Sequence, residues 1–88
     1  MPVAVTTHLP SLPAGAYDAI ASQQADALRA APGFVSHAAY VSESGVTVVE
    51  TWARRDDWRA FFDANVRPQL PPGLPEPTVE DVHNVIAR

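Results

Sequence analysis

The residues of this sequence best suited to chemistry are His37 and Glu50. If they face each other on neighbouring antiparallel strands, their Cβ atoms lie about 5 Å apart, close enough for the carboxylate to hydrogen-bond the imidazole. In a closed apolar cavity the carboxylate would hold the imidazole in one tautomer, which is the arrangement needed to abstract a proton from a phenol or an enol. A structural pair, at a dimer interface or in solvent, is the alternative.

A predicted β-hairpin, Phe34–Trp52, brings these two side chains together. Its two β-rich runs, Phe34–Val41 and Val46–Trp52, are separated by the short polar loop Ser42–Gly45, whose glycine suits the positive φ of a tight turn. Setting the last residue of the first run opposite the first residue of the second gives every facing pair of residue numbers the same sum. The pairs that follow are Ala39 with Val48, His37 with Glu50, and Val35 with Trp52.

His37, Glu50 and Trp52 are predicted to share one face of this hairpin, because side chains alternate across a strand. Trp52 would give that face an aromatic wall suited to a planar ligand, with Val35 and Val48 as apolar neighbours. The opposite face carries Ser36, Ala38, Tyr40, Thr47, Val49 and Thr51. We expect Tyr40 and its neighbours to pack against helices, and the His37 face to point away from them.

The rest of the chain supplies the elements that position the hairpin. Strands are predicted over Val3–Leu9 and Thr78–Ile86, because both runs are rich in β-branched residues. Helices are predicted from Leu12 to Ala31 and from Arg55 to Pro68. The order β-α-β-β-α-β in 88 residues predicts one domain over residues 1–88, an α+β ferredoxin-like sandwich with four antiparallel strands and both helices on one face.

The uncovered face of that sheet leads us to expect a homodimer. It would carry Val35, Val48 and Trp52, which form too apolar a surface to leave in water. Two sheets packed face to face would bury this surface, enclose a cavity and form a dimeric α+β barrel. The ligand pocket is therefore expected on the dimer-facing side of the sheet, with His37 and Glu50 inside it.

Composition argues against several function classes. The net charge of -4, with 6 Lys and Arg residues in total and no basic run, makes nucleic acid an unexpected partner. The chain has no Cys for a nucleophile or a thiolate metal site, and no Lys for a Schiff base. It has no apolar stretch long enough to span a membrane and no signal-like N-terminus, so a cytoplasmic protein is expected. It also lacks a Gly-rich phosphate loop, a nucleophile elbow and a dinucleotide fingerprint. We expect acid–base chemistry without a cofactor.

Two further histidines lie outside the hairpin. His83 is expected on the last strand, near the middle of the sheet, and His8 at the rim of the first strand. The three histidines and Glu50 come from separate strands, without the i, i+2 or i, i+4 spacing that is typical of metal ligands. We therefore expect no metal site.

Three segments of the chain resemble one known group of proteins: PGFVSH, VTVVETWARRDDWRAFF and VHNVI. They are similar to the dimeric α+β-barrel proteins related to antibiotic-biosynthesis monooxygenases, and most of all to small actinobacterial members. That superfamily includes cofactor-independent oxygenases of polycyclic aromatic phenols, heme-degrading enzymes, polyketide cyclases and proteins with no known reaction. The resemblance implies the same fold and a small-molecule pocket.

The resemblance also implies roles for individual residues. Trp52 and Trp58 match the strand-3 tryptophan and the aromatic residue six positions later that line the pocket in quinone-forming members, and His37 is similar to a histidine on strand 2. The family pattern has Asn where this chain has Val48, which counts against phenol oxygenation. Heme-degrading members need a histidine late in the second helix, where this chain has Pro68–Pro72.

The first hypothesis is a cofactor-independent acid–base enzyme, similar to the monooxygenases, that acts on an aromatic or polyketide-like small molecule. Its base is His37 oriented by Glu50, with Trp52 and Trp58 as walls and His83 as a second polar contact. The first alternative is a polyketide cyclase or isomerase that uses the same base to form an enolate. The second alternative is a non-catalytic dimer that binds a small apolar molecule or serves as an interaction module.

Overall fold

A computed structural model describes residues 1–70 and 72–86, in which the chain forms four strands and two α-helices in the predicted order. The strands are β1 (Val3–Pro10), β2 (Phe34–Ser42), β3 (Gly45–Trp52) and β4 (Thr78–Asp81), and the helices are α1 (Ala14–Ala30) and α2 (Arg55–Phe61). The sheet has the order β2-β3-β1-β4, and every neighbouring pair is antiparallel. The predicted ferredoxin-like α+β fold is confirmed.

The second helix does not stay α-helical to its end. After α2 the chain continues as a π-helix over Phe62–Val66 and as a 3-10 turn over Arg67–Gln69, so its end near Pro68 was predicted but its widened middle was not. Arg67 then bonds to both Asp63 and Glu76. These bonds fasten the proline-rich connector to the helix end. Within the described residues, no helix combines the length and apolar character needed to cross a membrane.

Strand β4 is shorter than predicted, because its partner strand runs out. Val3, the first residue of β1, pairs with Asp81, and the Val82 N–H donates to the Pro2 carbonyl 2.9 Å away. Pro2 has no N–H with which to continue the ladder. The predicted strand residues Val82–Ile86 therefore lie beyond the sheet.

The hairpin has the predicted register over most of its length. Val41 pairs with Val46 and His37 with Glu50, and the turn backbone at Gly45 has φ +135°, where a Cβ would collide with the carbonyl oxygen of Leu9. The prediction fails only at the open end. A β-bulge there pairs Trp52 with Phe34 instead of Val35.

The His37 face of the sheet lies under the helices, so the prediction that it points away from them is wrong. Trp52 on this face is fully buried, and its ring centroid lies 5.6 Å from that of Phe61 in α2. The core around them contains side chains from both layers: Val3, Val5, Leu28, Trp52, Trp58, Phe61 and Phe62. Any pocket beside His37 is therefore between helix and sheet within one chain, and not on a dimer-facing side.

The open face of the sheet carries the alternate residues of each strand. Tyr40 is 58% exposed there and Val49 38% exposed, so the expected packing of Tyr40 against helices is also wrong. Their neighbours on this face are mostly small or polar: Ala4, Thr6, His8, Ser36, Ala38, Thr47 and Thr51. The open face is thus less apolar than the surface from which a homodimer was predicted.

Candidate active site

Four side chains form one hydrogen-bonded chain beneath α1. The indole Nε1 of Trp52 donates to Oε1 of Glu50 over 3.0 Å, and Oε2 of Glu50 lies 2.6 Å from Nδ1 of His37. On the other side of the imidazole, Nε2 lies 2.6 Å from the hydroxyl oxygen of Tyr17. The predicted pairing of His37 with Glu50 is confirmed as geometry, and two further groups extend it.

The proton positions along this chain follow from the chemistry of its members. An ionised carboxylate can only accept, so Nδ1 of His37 donates to Glu50, as does the indole of Trp52. In the neutral ring, Nε2 is then an acceptor, and the Tyr17 hydroxyl donates to it. Both ring nitrogens are engaged, and the imidazole is held in a single tautomer.

The fold fixes where each of these groups stands. Glu50 and Trp52 point to the same side of β3 because alternate residues of a strand do so, and the ladder sets His37 opposite Glu50. Tyr17 comes from the first turn of α1, and its ring lies nearly parallel to the imidazole, at an interplanar angle of 18°. The His37 and Glu50 side chains are 25% and 14% exposed, so most of the surface of the pair is shielded from water.

Two cavities adjoin His37. An open groove of about 410 Å³ runs between α1 and β2, and Leu28, Phe34 and Ser36 are among its lining residues. An inner cavity of about 100 Å³ lies between the helices and the sheet and is lined mainly by apolar side chains. His37 lines both, whereas of these two cavities Tyr17 lines only the groove and Glu50 only the inner one.

The environment of Tyr17 disfavours its ionised form. Burial raises the pKa of the Tyr17 phenol, and the negative charges of Glu50 and Asp18 raise it further. The phenol therefore keeps its proton in the folded chain at a pH where a free tyrosine begins to lose it. This supports the assignment of Tyr17 as the donor to His37.

We expect the stability of the fold to fall as the pH rises above about 10, because the unfolded chain then releases the Tyr17 proton before the folded chain does. Below that range the phenol is protonated in both states and contributes no pH dependence. Tyr17→Phe should reduce the alkaline loss of unfolding free energy, measured by urea denaturation between about pH 8 and pH 11. Tyr40→Phe, on the open face, is the matched control. An alkaline loss of the same size in Tyr17→Phe would contradict the prediction.

The structure brings some of the other predicted site residues to His37 and separates the rest. Trp58 and Val48 are buried and line the inner cavity. Val35 is 57% exposed on the bulge and lines neither of these two cavities. His83 is exposed beyond the end of β4, so its expected place near the middle of the sheet is wrong.

His8 lies on the open face, on the side of the sheet away from His37. It is exposed, and its Nδ1 lies 2.9 Å from the Thr47 hydroxyl oxygen. Within residues 1–70 and 72–86, no group of three or more His, Cys, Asp or Glu side chains is arranged to hold a metal ion.

Sequence reasoning placed Tyr17 among the residues that pack a helix on the sheet and missed its contact with His37. The signal was partly present. Tyr17, Ala21, Gln24 and Leu28 recur at helical spacing, and all four line the groove beside His37. A tyrosine in the first turn of α1, on the helix face that packs over His37, is the sequence feature that indicates this contact.

No protein-family model matches the chain, and no curated protein matches it either. Solved structures do. The heme-degrading protein Rv3592 of Mycobacterium tuberculosis, in a heme-free crystal structure, is 22% identical with a TM-score of 0.66, over 99% of this chain and 100% of that one. Rv0793 of the same organism is 20% identical with a TM-score of 0.69, over the same shares.

A third match is the ActVA-Orf6 monooxygenase of Streptomyces coelicolor, solved in complex with Nanaomycin D. It is 24% identical with a TM-score of 0.63, over 99% of this chain and 91% of that one. This chain has their fold. The resemblance drawn from the sequence, to proteins related to antibiotic-biosynthesis monooxygenases, is confirmed at the level of that ferredoxin-like fold. Both organisms are actinobacteria, as the resemblance implied.

Proposed function

We propose that this chain is a small-molecule enzyme that removes an acidic proton from a planar aromatic or polyketide-like substrate bound beside His37. The observation that carries the proposal is the imidazole held in one tautomer by Glu50, 2.6 Å away, at the wall of an open groove. A carboxylate-oriented imidazole is a common arrangement for general acid–base catalysis near neutral pH. Neither a cofactor nor a metal is part of this proposal.

The groove suits a ligand with an aromatic body and a polar edge. Its volume of about 410 Å³ lies within the range of roughly 300–1,000 Å³ that is usual for small-molecule sites. Leu28 and Phe34 supply apolar walls, while Gln24 and Arg29 supply polar groups at the same groove. The inner cavity, at about 100 Å³, is below that range.

Two outcomes follow from removal of the proton. In an oxygenase the carbanion of a phenol reacts with O2, one oxygen atom becomes the new quinone carbonyl and the other leaves as water, so the substrate supplies all the electrons. The structural likeness to a monooxygenase with a bound ligand supports this version. In a cyclase or isomerase, the same step gives an enolate that attacks within the molecule or is reprotonated.

Val48 favours the second outcome. It is 8% exposed and lines the inner cavity close to Glu50, at the position where the family pattern of quinone-forming members has Asn. An apolar side chain cannot hydrogen-bond a substrate oxygen, so this site lacks one group that would hold a phenolate for reaction with O2. We therefore keep cyclisation or isomerisation as the second candidate.

A homodimer and a cytoplasmic location belong to the same proposal. Tyr40 and Val49 project from the open face, and two such faces could pack together as sheets do in a sandwich. In this arrangement each chain keeps its own groove, because the grooves lie on the helix side. Sedimentation velocity tests the dimer, and a monomer at every concentration would contradict it.

The proposed function is tested by proton exchange. Anthrone, whose ring C–H is acidic, is incubated with the protein in D2O, and loss of the proton signal is followed by NMR with and without O2. We expect exchange faster than in buffer, reduced by about 100-fold or more in His37→Gln, since general base catalysis contributes about 10²–10⁴-fold. Oxygen uptake matched to substrate loss would indicate an oxygenase, and exchange without it a cyclase or isomerase.

His8→Gln is the matched control, because it removes an exposed histidine from the opposite face of the sheet. It should exchange at the wild-type rate. If a panel of planar phenols and enols binds but shows no exchange above buffer, or if His37→Gln matches wild type, the enzyme proposal fails. Binding alone would then favour the non-catalytic small-molecule module.

A further inference from the structure

The imidazole of His37 is not free to meet a substrate directly. Its Nδ1 is bound to Glu50 and its Nε2 to the Tyr17 hydroxyl, each over 2.6 Å. A base needs an open lone pair pointing at the proton that it takes. In this geometry the only nitrogen lone pair of the neutral ring already accepts the Tyr17 proton.

In the hydrogen-bonded series Trp52–Glu50–His37–Tyr17, the Tyr17 hydroxyl is the polar group nearest the groove. Tyr17 lines the groove together with His37, whereas Glu50 does not. The hydroxyl oxygen donates its proton inward to Nε2, which leaves its own lone pairs available as acceptors. A ligand in the groove that points an acidic O–H or C–H toward His37 meets the Tyr17 oxygen first, because this oxygen is the last group of the hydrogen-bonded series.

We propose that Tyr17 is a catalytic residue and that its phenol oxygen, not the imidazole, takes the substrate proton. The inference rests on the proposed function. As the substrate's O–H or C–H bond breaks, its proton passes to the Tyr17 oxygen, and the original Tyr17 proton passes to Nε2 of His37. Two protons move one step each, the substrate becomes an anion and the imidazole becomes an imidazolium. Before the path runs in reverse, the two protons exchange with water, so the anion receives a solvent proton from Tyr17 as His37 returns one to Tyr17.

The surroundings stabilise that charge distribution. The imidazolium forms against the Glu50 carboxylate, 2.6 Å from Nδ1, and the buried indole of Trp52 holds the second carboxylate oxygen in place. A free tyrosinate is disfavoured, since burial and the Glu50 charge raise the Tyr17 pKa. The proton therefore leaves the phenol oxygen only as another arrives, and Tyr17 acts as a relay and not as an independent base.

A structural role for Tyr17 predicts the opposite result. If the phenol only clamps α1 onto the sheet, or covers His37 as a lid, its removal leaves Nε2 open to the groove. His37 would then contact the substrate directly, and exchange would continue at the wild-type rate or faster. The two roles are therefore separated by the sign of one measurement.

Tyr17→Phe removes only the hydroxyl and keeps the ring that lies against His37. We expect anthrone exchange to fall by about 100-fold, within the usual range for a lost acid–base group, while binding of the probe is retained. The wild-type rate should fall as the D2O fraction rises, because the Tyr17 hydroxyl proton that moves in the same step comes from solvent, whereas the residual rate of the variant should lack this dependence. Tyr40→Phe, on the open face, should match wild type in both readouts.

The combined results for Tyr17→Phe and His37→Gln distinguish a failure of the relay from a failure of the proposed function. Slow exchange in both Tyr17→Phe and His37→Gln, with normal Tyr40→Phe and a folded Tyr17→Phe by circular dichroism, supports the relay. Slow exchange in His37→Gln but wild-type exchange in Tyr17→Phe overturns the relay and leaves the proposed function standing. Wild-type exchange in His37→Gln, or none in the unaltered protein, overturns the proposed function and the relay with it.

Discussion

Replacing Glu50 with alanine should lower the free energy of unfolding by about 2–4 kcal/mol, because two hydrogen-bond donors lose their acceptor at once. Trp52 is fully buried, and its indole N–H donates a hydrogen bond to the Glu50 carboxylate over 3.0 Å. The Nδ1–H of His37 loses its acceptor in the same substitution, although that side chain is 25% exposed and water replaces part of the bond. A loss of this size is a large share of the 5–15 kcal/mol that is typical of small domains.

Urea denaturation followed by tryptophan fluorescence measures this loss. Glu50→Gln is the informative comparison, because its amide keeps one accepting oxygen and should destabilise the fold less than alanine does. Glu43→Ala, in the exposed hairpin turn, is the matched control and should change stability by less than about 0.5 kcal/mol. If Glu50→Ala unfolds at the wild-type urea concentration, the carboxylate does not hold Trp52 and His37 together in solution.

The part of the site that the sequence could predict is the part set by local geometry. His37 stands opposite Glu50 because a strand has a period of two and a short turn fixes the register, and both facts are visible in the residues. The element order and the two helix starts follow in the same way. The bulge at Val35 was not visible, because either Val35 or Phe34 could pair with Trp52 without changing the turn.

The choice of covered face was wrong for a physical reason that the composition contained. Alternation shows which residues share a face but not which face the helices cover. The deciding signal is burial. The face with Val48 and Trp52 is apolar, whereas the other has Thr47, Thr51 and Ser36, and a sheet covered on one side turns its apolar face to the cover. The sequence analysis predicted that a second copy of the chain buries the face with Val48 and Trp52, whereas the helices of the same chain cover it.

The positions of Tyr17 and His83 could not be predicted from the sequence. The contact of Tyr17 with His37 joins residues 20 positions apart on a helix and a strand, and depends on how α1 is set over the sheet. His83 was placed by extending a β-branched run beyond the point where β1 has residues to pair with it. Local pattern fixes neither, because both depend on tertiary contacts.

Trp58→Ala should have the largest effect on the fold, a loss of about 3–5 kcal/mol of unfolding free energy. Trp58 is 2% exposed, packs against Phe62 in a tilted arrangement with ring centroids 5.2 Å apart, and forms a wall of the inner cavity. Truncation removes these contacts and joins the vacated volume to the existing cavity of about 100 Å³. The remaining tryptophan, Trp52, still reports unfolding by fluorescence.

The enlarged cavity should bind the group that was removed. Indole at about ten times its dissociation constant would return about 1.4 kcal/mol to Trp58→Ala and raise its melting temperature by several degrees, with no such effect on wild type. Tyr40→Phe, which keeps the ring on the open face, is the control and should neither lose much stability nor respond to indole. A melting temperature that stays low at every indole concentration would mean that the core collapses around the gap. Recovery would mean that the truncated site stays open and binds a planar aromatic ring in the place of the Trp58 side chain.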